Sequence, residues 1–257
     1  MLLSQPIMHN HIIIAAAVYD ELSALIDRVE KPVVSKAGGR KIVSGHIGGK
    51  PVRLLVTGPG LVNAVQALTA AIEDLMPSLI IQTGCAGAFK WSGLKIGDIG
   101  IATEEIDVNL GIEPESGDGP LNELPFSLIN TRGLDIKNRY RLDYELANLA
   151  FKTIEKDYAD KNIGLIKGTF ITVSTITATD MRAEKLYKQF KPCMEGMEGS
   201  GAAHLAIYYN IPFLEIRSAS NMVGKRDTGA WNLTLAFERA AMAVFAFICD
   251  LDQNILR

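Results

Sequence analysis

The chain predicts an α/β fold of three layers, an αβα sandwich with helices on both faces of a central, twisted, mixed sheet. Three observations carry that expectation. Residues 11–18 and 79–83 are short runs apolar on both faces, as strands buried between two helical layers must be. Strand-like and helix-like runs alternate along the whole chain. Gly48-Gly49 divides KIVSGHIGGKPVRLLVTG into two alternating halves, the pattern of a hairpin, so the sheet contains antiparallel pairing and is mixed.

Taken in order, residues 11–18 form a central strand and residues 20–29 a helix with Leu22, Leu25, Ile26 and Val29 on one side. The Gly48-Gly49 hairpin follows, then an Ala-rich helix over 61–75 opened by Gly58-Pro59-Gly60, where a proline fits a helix start. The strand 79–83 closes in GCAGAF, whose Gly84 and Gly87 point to a close backbone approach, and 97–106 is the next strand. Residues 107–140, rich in Gly, Pro, Asn and charge, read as a long loop with short helical or strand pieces, a candidate lid. A helix over 142–157, a strand over 163–173, a short helix over 182–190, the strand 211–217 and an amphipathic terminal helix over 228–250 complete the order. There are no internal repeats.

With 257 residues and 48% apolar content, the chain has material for one well-buried domain spanning 1–257. The net charge of -3 comes from interspersed acids and bases, with no basic stripe and no aromatic-basic interleaving, so nucleic acid is not an expected partner. Cys85, Cys193 and Cys249 are odd in number and lack CxxC spacing, which fits a reduced cytoplasm. His9, His11, His46 and His204 form no ligand-spaced pair on a predicted helix, so no metal is expected. The apolar run 12–18 is followed at once by Tyr19, Asp20 and Glu21, and reads as a buried strand rather than a signal segment. No apolar run approaches the roughly 18 residues of a membrane span.

The densest functional signal lies between Cys193 and Trp231. An acidic turn ends a strand at Glu198, Gly199-Ser200-Gly201-Ala202-Ala203 opens a closely packed helix, and IPFLEIR delivers Arg217, Ser220 and Asn221. Two adjacent strand ends thus aim polar groups into one crevice, where α/β sheets commonly bind ligands. Glu21, GCAGA, MEGMEG, IRSASN and RDTGAW together resemble the nucleoside phosphorylase and nucleosidase superfamily, and within it most closely the futalosine hydrolase family. The resemblance runs from Ile12 to Phe247 and is weakest over 107–140. It implies hydrolysis of the N-ribosidic bond of futalosine to hypoxanthine and dehypoxanthine futalosine, a step toward menaquinone, with no redox or metal cofactor.

Splitting that bond builds positive charge on the sugar and negative charge on the departing base, so a ribose anchor, a leaving-group stabiliser and an activated water are needed. By the resemblance, Met197-Glu198 is the pair whose Glu binds the ribose diol, a task suited to a carboxylate that accepts from two vicinal hydroxyls. Glu198 could equally serve as a mere cap on the helix that follows. The resemblance makes Glu21 the carboxylate that activates water; alone it reads as a first-turn helix acid favoured by the dipole. Arg217 and Cys85, with Ala86 and Gly87, correspond to positions lining the water and ribose pocket. Cys85 stands where related nucleosidases often have Ser, and Arg217 could instead pair with Glu215. Glu195 is supportive rather than catalytic, and Ile176 and Thr177 match the segment that stacks on and bonds the base.

Asn221 is the most telling departure. Related nucleosidases for 6-aminopurines usually place Asp there. An amide can donate to a carbonyl oxygen at C6 while its own oxygen accepts a hydrogen bond from a proton carried on N7, so Asn221 points to a 6-oxopurine and to electrostatic stabilisation of the departing base. The alternative is an Asn in a left-handed turn before Met222-Val223-Gly224. Arg226, in R-D-x-x-x-W with Asp227 and Trp231, suits the benzoate-like group of futalosine; its alternative is a surface Arg, with Trp231 packing the terminal helix. Leu54 to Ser78 contains no Lys or Arg to hold phosphate at the TGPG turn, and Glu21 would repel it, so water is favoured over phosphate as the nucleophile. The rivals are a methylthioadenosine/adenosylhomocysteine nucleosidase, a purine nucleoside phosphorylase and a non-catalytic nucleoside-binding or storage protein. The resemblance also implies a homodimer or higher assembly, with Phe126 and its loop near the far end of the ligand.

Overall fold

The computed structural model describes residues 10–115, 117, 121–158 and 162–252; His9 and the ends of the predicted 1–257 domain lie outside them. Strands β1 (Ile12–Ala16), β2 (Glu30–Ala37), β3 (Arg40–Ile47), β4 (Lys50–Val56), β5 (Leu79–Ala88) and β6 (Ile99–Asp107) occupy the first part of the chain. The short β7 (Ile129–Thr131), β8 (Leu134–Ile136) and β9 (Arg139–Arg141) follow, then β10 (Leu165–Thr172), β11 (Met194–Gly196) and β12 (Phe213–Met222). The helices are α1 (Tyr19–Ile26), α2 (Leu61–Asp74), α3 (Tyr144–Tyr158), α4 (Asp180–Phe190), α5 (Gly199–Tyr209) and α6 (Leu233–Asp250).

The main sheet runs β11-β10-β6-β12-β5-β1-β4-β3-β2, with β9 added to β6, and is mixed as expected: β1 is parallel to β4 and β5, whereas β12 is antiparallel to β6. β11 also pairs antiparallel with β5, Met194 opposite Ala88 and Glu195 opposite Gly87, which bends β5, β12, β6, β10 and β11 into a closed ring. Alternation along β1 explains the layers. Ile12, Ile14 and Ala16 pack with α1, α3 and α6, while Ile13 and Ala15 pack with α2 and α5.

The Gly48-Gly49 turn forms as read, both glycines at positive φ, with Ile47 opposite Lys50. A second hairpin, through Gly38 and Gly39 at φ 55° and 81°, joins β2 to β3 in a segment where the pattern predicts none. β2 is an edge strand exposed except at Ala37, so it carries no inward apolar pattern to read. The first helix accordingly ends at Ile26 rather than 29.

Three corrections bear on the site. β5 does not stop at Thr83 but continues through Gly-Cys-Ala-Gly-Ala to Ala88, because β12 pairs with it along that stretch. β12 continues past Arg217 to Met222, with a bulge at Ser220 that shifts the register between Ala219 and Asn221. β11 ends at Gly196, leaving Glu198 as the N-cap residue of α5. Residues 107–140 hold the β7–β8 hairpin, β9 and a bridge between Ile112 and Asn122, and no helix among the described residues. The predicted terminal helix is split: Thr228–Ala230 is one 3-10 turn, and α6 starts after Asn232, whose side chain caps Leu235 N.

Candidate active site

One cavity of about 250 Å³ opens where the second halves of β5 and β12 meet the chain leaving β10 and β11. It gathers Glu21 from α1, Cys85, Ala86 and Gly87 from β5, and Ile176 and Thr177 beyond β10. Met197 and Glu198 reach it from the entry to α5, Arg217, Ser220 and Asn221 from β12, and Arg226 from just after β12. Apart from Phe126, the positions singled out from the sequence for ligand contact or catalysis therefore face the same space.

Glu21 is buried in the first turn of α1. Its Oε2 accepts from Val18 N at 3.1 Å and its Oε1 from Cys85 N at 2.9 Å. It serves its helix end and faces the cavity at once. Burial pushes its pKa above the ordinary carboxylate value, opposed by the nearby Arg217 guanidinium and the two backbone donors. The approach demands Gly84: φ is +132°, and a Cβ there would sit 2.6 Å from Glu21 Cδ. Gly84→Ala is expected to lower stability by about 2–5 kcal/mol through strain and overpacking, read as a fall in thermal midpoint.

Arg217 is 2% exposed and gathers several groups of the cavity wall. Its Nη2 donates to Glu198 Oε2 at 3.1 Å, its Nε to Glu215 Oε1 at 2.9 Å and its Nη1 to Cys85 O at 3.1 Å. The ion pair with Glu215 and the cavity role are thus both realised by one fork of donors. These acids, with Glu21, hold Arg217 charged despite its burial. Glu198 makes no side-chain cap bond to α5; its Oε1 accepts from Gly60 N at 2.8 Å, at the start of α2. The anion at that helix start is the chain's own carboxylate. The fold does bring one base near the TGPG turn that the local sequence lacks: Arg40 bonds Gln66 and Asn63 there, outside the cavity lining.

The Cys85 thiol is pushed up to about 12, chiefly by burial; separately, the backbone N–H of Cys85 donates to Glu21 and its carbonyl accepts from Arg217. Asn221 lies in β12 without a positive φ, which removes the left-handed-turn alternative. Its Oδ1 accepts from Ser220 Oγ at 2.8 Å and its Nδ2 donates to Met222 O at 3.2 Å. One amide hydrogen and one lone pair remain for a ligand.

Glu195 clamps the 176–177 segment, accepting from Thr177 N at 3.0 Å and Thr177 Oγ1 at 2.5 Å. At the mouth the Arg226 guanidinium lies 4.9 Å from the Trp231 ring centre, and both line the cavity. Phe126, 59% exposed, does not line it within one chain. Sequence reading missed the lining roles of Val173, Val223 and Phe237, which look like ordinary core positions, and of Leu233 and Pro59, the latter read only as a helix start. It also passed over Glu105, whose one signal was an acid inside an otherwise buried strand run. Among the described residues no group of three or more His, Cys, Asp or Glu is placed to hold a metal ion, and no helix is long and apolar enough to cross a membrane.

Residues 11–251 match the family described as the phosphorylase superfamily. The chain belongs to that superfamily. Among curated relatives, the 5'-methylthioadenosine/S-adenosylhomocysteine nucleosidase of Bacillus thuringiensis subsp. konkukian (strain 97-27) is 28% identical over 249 residues, covering 95% of this superfamily member and 99% of the relative. The same holds for the corresponding Bacillus anthracis protein. The solved nucleosidase of that name from Neisseria meningitidis, in complex with methylthio-immucillin-A, superposes with a TM-score of 0.81 at 21% identity, covering 95% of this chain and 100% of that one. All three carry the name of the rival nucleosidase, not that of futalosine hydrolase.

Proposed function

We propose that this superfamily member is an N-ribosyl hydrolase of purine nucleosides, and that its preferred base is a 6-oxopurine, with futalosine as the substrate. The observation that carries the reading is the placement of two buried carboxylates, Glu21 and Glu198, on one cavity, each held by different donors and joined through Arg217. Glu198 accepts from the ribose hydroxyls, Glu21 removes a proton from the attacking water, and Asn221 stabilises the leaving base. Met197, Ile176 and Thr177 pack on sugar and base, and Arg226 meets a carboxylate on the distal group. Engagement of the α2 start by Glu198, and a buried acid where phosphate would sit, support water over phosphate. One domain carries the site, in a homodimer or higher assembly; Val62 on α2 and Tyr208 on α5 leave apolar surface exposed for it.

A second reading has its own support. The names of the relatives favour methylthioadenosine/adenosylhomocysteine hydrolysis, whereas Asn221 favours the oxopurine. Incubation with futalosine, inosine and methylthioadenosine, with and without phosphate, separates the two. The expected result is hypoxanthine release from futalosine, unchanged by phosphate. Faster adenine release from methylthioadenosine would install the second reading, and a strong rise with phosphate would make the protein a phosphorylase. Asn221→Asp is expected to move the ratio of 6-oxo to 6-amino cleavage by about 10–100-fold toward the amine, the worth of one hydrogen bond to a charged group.

A further inference from the structure

Behind the cavity wall lies a second acidic centre that the proposed chemistry does not use. Glu105 of β6 and Glu215 of β12 are each 1% exposed and converge over Gly199, the first residue of α5. A Cβ on Gly199 would overlap Glu105 Oε1 and lie 2.5 Å from Glu215 Oε2. The remaining oxygens have donors: Thr172 Oγ1 reaches Glu105 Oε2 at 2.8 Å, and Arg217 Nε reaches Glu215 Oε1 at 2.9 Å. Glu215 Oε2 has no donor among the described residues. A buried carboxylate oxygen without a donor is costly, and two touching carboxylates cannot both stay ionised.

We propose that Glu105 and Glu215 share one proton, Glu105 donating it to Glu215 Oε2, and that this pair is a positioning device that fixes Arg217 and, through it, the ribose-binding Glu198. Glu215 then keeps its charge for Arg217 Nε, and the guanidinium cannot swing away from Glu198. Burial and the neighbouring Glu215 push the Glu105 pKa well above the ordinary carboxylate value, in agreement. The groups facing the pair are Arg217 from β12, Thr172 from β10, Tyr140 from β9, which contacts His204 of α5, and Cys193 ahead of β11. Glu21 and Glu198 face Arg217 from the cavity side.

The sign is set by the raised value. The pair's contribution is complete below the unfolded carboxylate pKa and is lost as pH climbs through the folded one, when Glu105 ionises against Glu215. The inference rests on the reading of Glu198 as ribose anchor, so the test has a readout independent of turnover. The infrared difference spectrum, wild type minus Glu105→Gln at neutral pH, should show a protonated-carboxyl C=O band, in which any contribution from Glu21 cancels. No such band would overturn the proposal.

Kinetically, Glu105→Gln supplies an amide donor in place of the acid and should keep kcat/KM within about threefold, flattening the alkaline fall of the wild type. Glu105→Ala and Glu215→Gln should each lose about 10–100-fold, chiefly in KM, and less with a 2′-deoxynucleoside than with the ribonucleoside. Equal damage from Glu105→Gln and Glu105→Ala would also overturn it. Unchanged kinetics in Glu198→Gln would instead sink the assignment of Glu198, whatever the infrared band does.

Discussion

Glu21→Gln is expected to lower kcat/KM by about 10²–10⁴, the usual contribution of a general base, with KM little changed. The amide keeps the shape and can still accept one of the two backbone bonds from Val18 N and Cys85 N, so the loss is one of proton acceptance rather than of fold. The pH profile checks this separately. Burial raises the Glu21 pKa, so the wild-type rate should climb with pH through a limb displaced above the ordinary carboxylate range, and the variant should lack that limb. Stability runs the other way. A group protonated more readily in the folded state contributes most below its unfolded pKa, and that contribution fades as pH rises through the folded value. Glu21→Gln should therefore be relatively more stable than wild type at the alkaline end, read by chemical denaturation at several pH values.

Glu198→Gln is expected to cost a comparable 10²–10⁴ in kcat/KM, for a different reason. Two charge-assisted bonds to vicinal hydroxyls are worth roughly 1.5–3 kcal/mol each, and an amide replaces them with weaker, mismatched ones. The signature is a substrate dependence: the loss should shrink with 2′-deoxynucleosides, which have already forfeited part of the contact. The variant should fold. Its amide oxygen can still accept from Gly60 N or Arg217 Nη2, and Arg217 keeps Glu215, so a stability cost of about 1–3 kcal/mol is expected. Should Glu198→Gln bind and turn over ribonucleosides as the wild type does, the carboxylate would be no more than the tie between α2 and β12.

Much of this site is legible in the sequence because its residues occupy strand ends and helix starts, and those positions carry local marks. Gly84 and Gly87 read as places of close backbone approach, and Gly84 indeed leaves room for Glu21. Met197-Glu198 stands at a small-residue helix start. The apolar lining is illegible because Val173, Val223 and Phe237 obey the same burial pattern as the core. Glu198 against Gly60, and Glu105 against Glu215, join residues far apart in the chain, and no local pattern encodes such pairs.

By itself the sequence determined the layered α/β architecture and the Gly48-Gly49 hairpin, and it marked Glu21, Glu198 and Asn221 as candidates whose spacing alone allowed a structural role for each. Only the tertiary structure decided that β5 and β12 run on together past their predicted ends, that β11 closes the ring, and that one arginine binds two of the acids and faces a third. The reason is physical. Periodicity records which face of an element is buried, a property of neighbours three or four residues away, whereas the charge state of a buried acid depends on whatever the fold places against it.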